Sequence, residues 1–109
     1  KIMESTGTKK EDEYKYQLFS STSFKKDYKK FLNDKVKIAK IDDTIKQLRI
    51  GGVEQLPLKM KAHFLTGKYK GHLECHIEPD LLIIWLQYDE EQKRIVLTRL
   101  GSHSELFKK

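Results

Sequence analysis

A run of six apolar residues over 81–86, inside the segment Leu81–Tyr88, most limits how this chain can fold. A strand that is apolar at every position is buried on both faces, so it lies in the middle of a sheet. The segments on either side, 69–77 and 94–100, alternate apolar and polar residues with a period of two. Short turns, one of them at Pro79-Asp80, separate the three segments. The second half of the chain is therefore predicted to be an antiparallel meander.

The first half of the chain predicts one strand followed by two helices. Residues 14–20 alternate as a strand does, and apolar side chains then recur at helical spacing over 24–32 and again over 38–48. Gly51-Gly52 ends the second repeat, and residues 53–66 have no clean period. We predict an α+β fold in which a two-helix hairpin packs on one face of a twisted, mainly antiparallel sheet of about four strands. The other face of the sheet is expected to be partly open.

Length and charge indicate one small basic domain. The chain has 109 residues, with 22 Lys+Arg against 16 Asp+Glu and a formal net charge of +6. This excess predicts an anionic partner such as nucleic acid, an acidic protein or an anionic membrane surface. Residues 1–13 are mostly polar and are expected to be a flexible extension or an expression remnant, whereas 14–109 form the domain.

Targeting signals and cysteine usage favour the cytoplasm. The apolar run over 81–86 is too short to span a bilayer, and the first residues lack the apolar stretch of a signal peptide. The single cysteine, Cys75, excludes an internal disulfide and fits a reducing compartment. We therefore expect a cytoplasmic protein without a membrane partner.

The histidines all lie in the second half of the chain, where the predicted sheet can bring them together. Alternation puts His72, Glu74 and His76 on one face of their strand, and we expect that face to be open to substrate. Asp80 follows at the strand end, where it could orient His76, act as a base or be an ordinary turn residue. The segments that carry His63 and His103 can reach the same end of the sheet.

Such a cluster on a basic surface suits RNA cleavage by transesterification. That reaction needs a base for the 2′-hydroxyl, an acid for the leaving 5′-oxygen and a cation for the phosphorane. Histidine, with a pKa of ~6.5, can be either the acid or the base. An alternative is a metal site formed by His72, Glu74, His76 and Asp80. The lysine-rich surroundings disfavour a bound cation, so we expect neither a metal nor another cofactor.

Three ordered motifs then identify a family resemblance. They are KAHFLTGKYK over 61–70, ECHIEPD over 74–80 and GSHSELF over 101–107. Over about residues 14–107 the chain resembles the YafQ-type toxins of the RelE/ParE superfamily, which are bacterial type II toxin–antitoxin endoribonucleases. The resemblance implies a helix hairpin on an antiparallel sheet and metal-independent cleavage of mRNA, mostly in the ribosomal A site. It also implies a cognate antitoxin partner of the DinJ/RelB-like kind.

The resemblance also implies roles for particular residues. The matching catalytic positions are His63, His76, Asp80 and His103. The positions expected to bind RNA or phosphate are Lys68, Lys70, Glu74, Arg99 and Phe107. Relatives commonly have Arg where this chain has Leu73, so the lysines and Arg99 would have to take over phosphate binding. Two alternatives stay open within the superfamily, a gyrase-inhibiting protein and a non-catalytic RNA-binding protein.

Overall fold

The computed structural model describes residues 14–107, and a single mixed sheet organises them. Its strands are β1 Gln17–Ser20, β2 His63–Phe64, β3 Leu73–Glu78, β4 Leu81–Tyr88 and β5 Arg94–Gly101. Their order across the sheet is β1-β5-β4-β3-β2, with β1 parallel to β5 and the other neighbours antiparallel. The predicted meander is confirmed as β3-β4-β5. The sheet has five strands rather than about four, because β2 forms inside the segment predicted to be irregular.

Two helices lie in the connection between β1 and β2, and a third follows β5. They are α1 Thr22–Lys29, α2 Lys35–Gly51 and α3 His103–Leu106, with short 3-10 turns at Gly52–Gln55, Leu58–Met60 and Gly67–Tyr69. The side chains of Ser21 and Asp34 accept backbone N–H groups and so cap α1 and α2. Gly52 ends α2 at a φ of +68°, in the left-handed region that glycine adopts without strain. The predicted helix hairpin and the final helical turn are both present.

The main core lies between the helices and one face of the sheet. Ile41 and Leu48 of α2 are fully buried in the same cluster as Ile83 and Trp85 of β4. The opposite face of β4 is apolar as well. It carries a second, smaller cluster, which we call the small cluster: Tyr69, Leu82, Ile84 and Leu106. This cluster covers part of the second face, and the rest of that face is open, as the sequence predicted.

Two strands begin later than predicted, and β3 and β5 each end one residue later. β3 begins at Leu73 rather than at residue 69, because Gly67 and Gly71 have φ angles of +69° and +90° and turn the chain just before it. β1 begins at Gln17 rather than at residue 14. The predictions for residues 1–13 and for the last two residues of the tail lie outside the described residues. No helix among residues 14–107 is both long enough and apolar enough to cross a membrane.

Candidate active site

Asp80 and His103 form the first contact of the site. Asp80 lies in the turn between β3 and β4, and His103 is the first residue of α3. The Oδ1 atom of Asp80 accepts the backbone N–H of His103 at 2.9 Å and lies 2.9 Å from Nδ1 of its ring. These two contacts lower the pKa of Asp80, the backbone one most. Because an ionised carboxylate only accepts hydrogen bonds, Nδ1 of His103 is the donor in this contact, and Nε2 has no hydrogen-bond partner among residues 14–107.

His76 lies beside this contact but does not share it. Its ring centroid is 5.7 Å from that of His103, and it projects from β3 toward the same end of the sheet. Of the three alternatives for Asp80, orientation of His76 finds no support within residues 14–107, where the carboxylate contacts His103. The carboxylate is held by the N-terminus of α3 instead, so His76 is left half-buried beside a second imidazole.

His63 reaches the same face of the sheet from the edge strand. It pairs with Glu74 across β2 and β3, and Glu74 is two residues from His76 along β3. Nδ1 of His63 lies 2.8 Å from the carbonyl oxygen of Lys61, and Nε2 lies 3.2 Å from Oε1 of Glu74. Lys61 has a φ of +51°, a conformation that non-glycine residues seldom adopt. The local backbone therefore fixes which ring nitrogen faces the carboxylate.

Glu74 is not open to substrate as the sequence suggested. It is 3% exposed, and Oε2 is buried without a hydrogen-bond partner among the described residues. The small cluster covers this part of the strand face. Within residues 14–107, the only ion-pair contact of Glu74 is with the His63 ring. Glu74 is therefore a partner of His63 and not a surface group that contacts RNA directly.

Arg99 lies in the same cross-strand row as Glu74. Ile84 of β4 pairs with Glu74 on one side and with Arg99 on the other, so the three share one face of the sheet. Nε of Arg99 donates to Oδ2 of Asp27 at 2.7 Å, and this contact raises the pKa of the guanidinium. The Arg99 side chain is 24% exposed. A fixed positive charge therefore lies on the histidine face.

Phe107 and Lys68 border the site, and both contact Tyr69. The Phe107 ring lies edge-on to Tyr69 at 5.9 Å and 6.3 Å from the His103 ring. Nζ of Lys68 is 5.4 Å from the centre of the Tyr69 ring. Lys70 is exposed after the same turn, and within residues 14–107 no hydrogen bond, ion pair or ring contact joins it to a histidine. The structure thus places Phe107 beside His103 and Lys68 beside Tyr69, whereas Lys70 has neither kind of contact among the described residues.

Leu73 points away from the site. It is buried in the main core, where it pairs with Trp85 across β3 and β4.

No group of three or more His, Cys, Asp or Glu side chains among residues 14–107 is placed to hold a metal ion.

Comparison with known proteins gives this arrangement a family. A family model described as "Bacterial toxin of type II toxin-antitoxin system, YafQ" matches residues 16–108. The chain belongs to the YafQ toxin family. The mRNA interferase toxin YafQ of Escherichia coli K12 is 37% identical over 60 residues, which are 55% of this chain and 62% of that protein. The chain thus aligns with less than two thirds of the length of this curated relative.

Solved structures of bacterial toxins match over nearly their whole length. The E. coli DinJ–YafQ toxin–antitoxin complex contains a chain that is 29% identical with a TM-score of 0.72, covering 85% of this chain and 98% of that one. A metal-bound toxin from Helicobacter pylori is 34% identical with a TM-score of 0.70, covering 84% of this chain and 99% of that one. The predicted fold class is confirmed by these family structures.

Two residues that position the site were not predicted from the sequence. Tyr69 was taken as the start of a strand, yet it contacts Lys68, Phe107 and Arg99. Asp27 was overlooked among the lysines of α1. Its signal is its position three residues after Phe24, which places a carboxylate on the apolar stripe of the helix.

Proposed function

We propose that this chain is an mRNA endoribonuclease, the toxin of a type II toxin–antitoxin system, which cleaves by acid–base transesterification without a metal. The observation that carries the proposal is the convergence of histidines from three chain segments on one face of the sheet, two of them in contact with carboxylates. His103 contacts Asp80, and His63 contacts Glu74. A fold alone supports no activity, so the proposal depends on this site and on the family's mRNA interferase relative.

The chemistry follows from the exchangeable protons. One imidazole takes the proton of a ribose 2′-hydroxyl, and the 2′-oxygen attacks the adjacent phosphorus. The bond from phosphorus to the 5′-oxygen breaks, and a second imidazole protonates that oxygen. The products are a 2′,3′-cyclic phosphate and a 5′-hydroxyl end. Each such proton transfer contributes about 10²–10⁴ to the rate. The catalytic residues proposed are His63, His76, Asp80 and His103.

Cationic and aromatic groups would hold the substrate. Arg99 supplies a guanidinium on the histidine face, and charge-assisted hydrogen bonds from such a group stabilise the dianionic phosphorane. Lys68 and Lys70 would add longer-range attraction to the RNA backbone. Phe107 would stack on a base, a contact worth about 1–3 kcal/mol. It is 39% exposed and adjacent to His103, which suits that role.

The setting of the reaction is proposed from the relatives. We propose that the substrate is mRNA in the ribosomal A site, in the cytoplasm, and that a cognate antitoxin inhibits the enzyme. The E. coli relative forms a complex with the antitoxin DinJ. Because this chain carries a net charge of +6, an antitoxin segment that covers the site should be acidic.

Cleavage of a defined mRNA tests the proposal. Purified protein is incubated with the mRNA alone or bound to programmed ribosomes, and primer extension maps the cut ends. We expect discrete in-frame cuts on ribosome-bound mRNA and a cyclic-phosphate product end. His76→Ala and His103→Ala should lose at least about 10²-fold in rate. Asp43→Asn, which removes an exposed carboxylate on α2, is the control and should cleave at the parent rate.

Other outcomes would contradict the proposal. A fully active His76→Ala variant would remove the catalytic assignment. DNA damage in expressing cells, without cuts in mRNA, would favour the gyrase-inhibiting alternative. Binding of RNA without cleavage under every condition would favour the non-catalytic alternative.

A further inference from the structure

Asp27 is a buried charged residue that the proposed catalytic set does not include. It lies on α1 and is 4% exposed. Its Oδ2 atom accepts Nε–H of Arg99 at 2.7 Å and the backbone N–H of Leu100 at 2.9 Å, and its Oδ1 atom accepts a terminal N–H of Arg99 at 3.2 Å. All three donors belong to β5. The carboxylate is therefore fully used in holding one short piece of that strand.

The strand is irregular at this point. Ile84 and Trp85 are consecutive on β4, yet their partners on β5 are two residues apart, which leaves Thr98 as an extra residue. Such a bulge interrupts the ladder and changes the direction of the side chains beside it. The backbone N–H of Leu100 is donated to Asp27 instead of to a neighbouring strand. Asp27 thus stabilises the backbone from which the Arg99 side chain extends.

The guanidinium of Arg99 is held by Asp27 and by Tyr69 and still has N–H donors without a partner among residues 14–107. An arginine side chain has five N–H donors. Two of them bind Asp27, and a third binds the hydroxyl of Tyr69 at 3.4 Å. Among the contacts of residues 14–107, one N–H on each terminal nitrogen remains without a partner, and paired donors of this kind bind phosphate oxygens in a bidentate manner.

We propose that Asp27 is a positioning residue for phosphate binding: it holds the Arg99 guanidinium in place so that its remaining donors meet the scissile phosphate. This inference rests on the proposed function. A free arginine must lose rotamer freedom to meet the charge that develops on the phosphorane, whereas one already fixed by a buried carboxylate loses little. A group placed beforehand also stabilises the transition state without rearrangement during the reaction.

A double-mutant cycle tests the inference. Single-turnover cleavage of ribosome-bound mRNA is measured for the parent, Asp27→Asn, Arg99→Ala and the double variant, with Asp43→Asn as the control for loss of a carboxylate. Affinity is measured in parallel with an mRNA that carries a 2′-methoxy group and cannot react. We expect Asp27→Asn to slow cleavage by about ten- to a hundredfold while affinity changes little, because misplacement of a contact mainly affects the transition state. In the Arg99→Ala background the same change should have almost no effect.

The outcomes separate this inference from the proposed function. An equal slowing by Asp27→Asn in both backgrounds would mean that the carboxylate only supports the fold, and an unchanged rate would mean that Arg99 needs no positioning; either result overturns the inference. An inactive parent would instead overturn the proposed function. If Asp27→Asn does not fold, Tyr69→Phe removes the other contact to the guanidinium and leaves the bulge intact. It should slow cleavage severalfold only when Arg99 is present, and the same loss in both backgrounds would overturn the inference.

Discussion

Truncation of Leu106 to alanine should remove most of the cleavage activity while the domain stays folded. The helix α3 has four residues, too few to be stable alone. Leu106 is its one buried residue, at 1% exposure, and packs with Leu82 and Ile84 in the small cluster. His103 begins this helix and Phe107 follows it, so both depend on that packing.

The magnitude follows from the buried side chain. Leucine to alanine removes about three methylene equivalents, or about 2.4 kcal/mol of transfer free energy. The cavity left behind brings such changes to about 2–5 kcal/mol. Here most of the cost falls on the docking of α3, because Leu106 lies in the small cluster and not in the main core. A loss of about 2.4 kcal/mol lowers the docking equilibrium constant by roughly fiftyfold.

Leu48→Ala is the matched control for this variant. Leu48 is also fully buried, but it lies on α2 in the main core. Urea unfolding gives the stability of each variant, and single-turnover cleavage is measured below the unfolding transition. We expect Leu48→Ala to lower the unfolding midpoint at least as much as Leu106→Ala and yet to cleave at the parent rate. Parent-like cleavage by Leu106→Ala, or an equal loss in both variants, would refute the reasoning.

Three further predictions follow from titratable groups. The pKa of Asp80 is lowered first by the hydrogen bond from the backbone N–H of His103 and then by the contact with its ring. This carboxylate therefore stabilises the fold above the ordinary aspartate pKa of about 3.9, and the stabilisation is lost as the pH falls through the lower pKa of the folded protein. A carboxyl NMR titration should show a lower Asp80 pKa in the parent than in His103→Ala. Burial raises the pKa of Cys75 to about 12, so iodoacetamide at pH 8 should label the thiol only in urea, and rapid labelling of the native protein would contradict the packing. Burial, and then the contact with Asp89, raises the pKa of Tyr16 to about 12; its stabilisation should be complete below pH 10 and disappear as the pH rises through 12, and Tyr16→Phe should remove this alkaline loss in unfolding experiments.

The fold could be predicted where the hydrophobic pattern repeats over enough residues. The strand Leu81–Tyr88 was placed to the residue, because a segment that is apolar on both faces can only be central. The strand His63–Phe64 was missed, since two residues cannot show alternation. Its pairing with β3 depends on the turns at Gly67 and Gly71 that return the chain to the sheet edge.

Histidine grouping could be predicted from the sequence, but the partners of the histidines could not. Alternation and short turns were enough to place His76 near the segment of His103. The sequence left open whether Asp80 orients His76, acts as a base or is an ordinary turn residue. In the structure the carboxylate accepts the backbone N–H at the start of α3, which has no partner within the helix. This contact forms only because the chain after β5 returns to the end of the sheet where Asp80 lies.

The role of Asp27 was hidden for a similar reason. Lysines surround it in the sequence, and the pattern alone presents α1 as an amphipathic helix with a basic face. Its partner is a bulge on β5, more than seventy residues away. The bulge shifts the apolar alternation of β5 by one residue, from Ile95 and Leu97 to Leu100, but this shift does not indicate which side chain accepts the N–H that it frees. A buried carboxylate that accepts hydrogen bonds from a distant bulge can therefore be recognised only from the three-dimensional structure.

One face of the sheet packs against the main core and the other carries the histidines, so mutations can test stability and activity separately. The main core, formed with α1 and α2, holds most of the buried apolar side chains of the described residues. The histidines lie instead on the face of the small cluster. Local opening costs least where few apolar side chains are buried, so the segments that position His63 and His103 can detach while the main core persists. Loss of cleavage and loss of folding should therefore be separable, as a comparison of Leu106 with Leu48 would show.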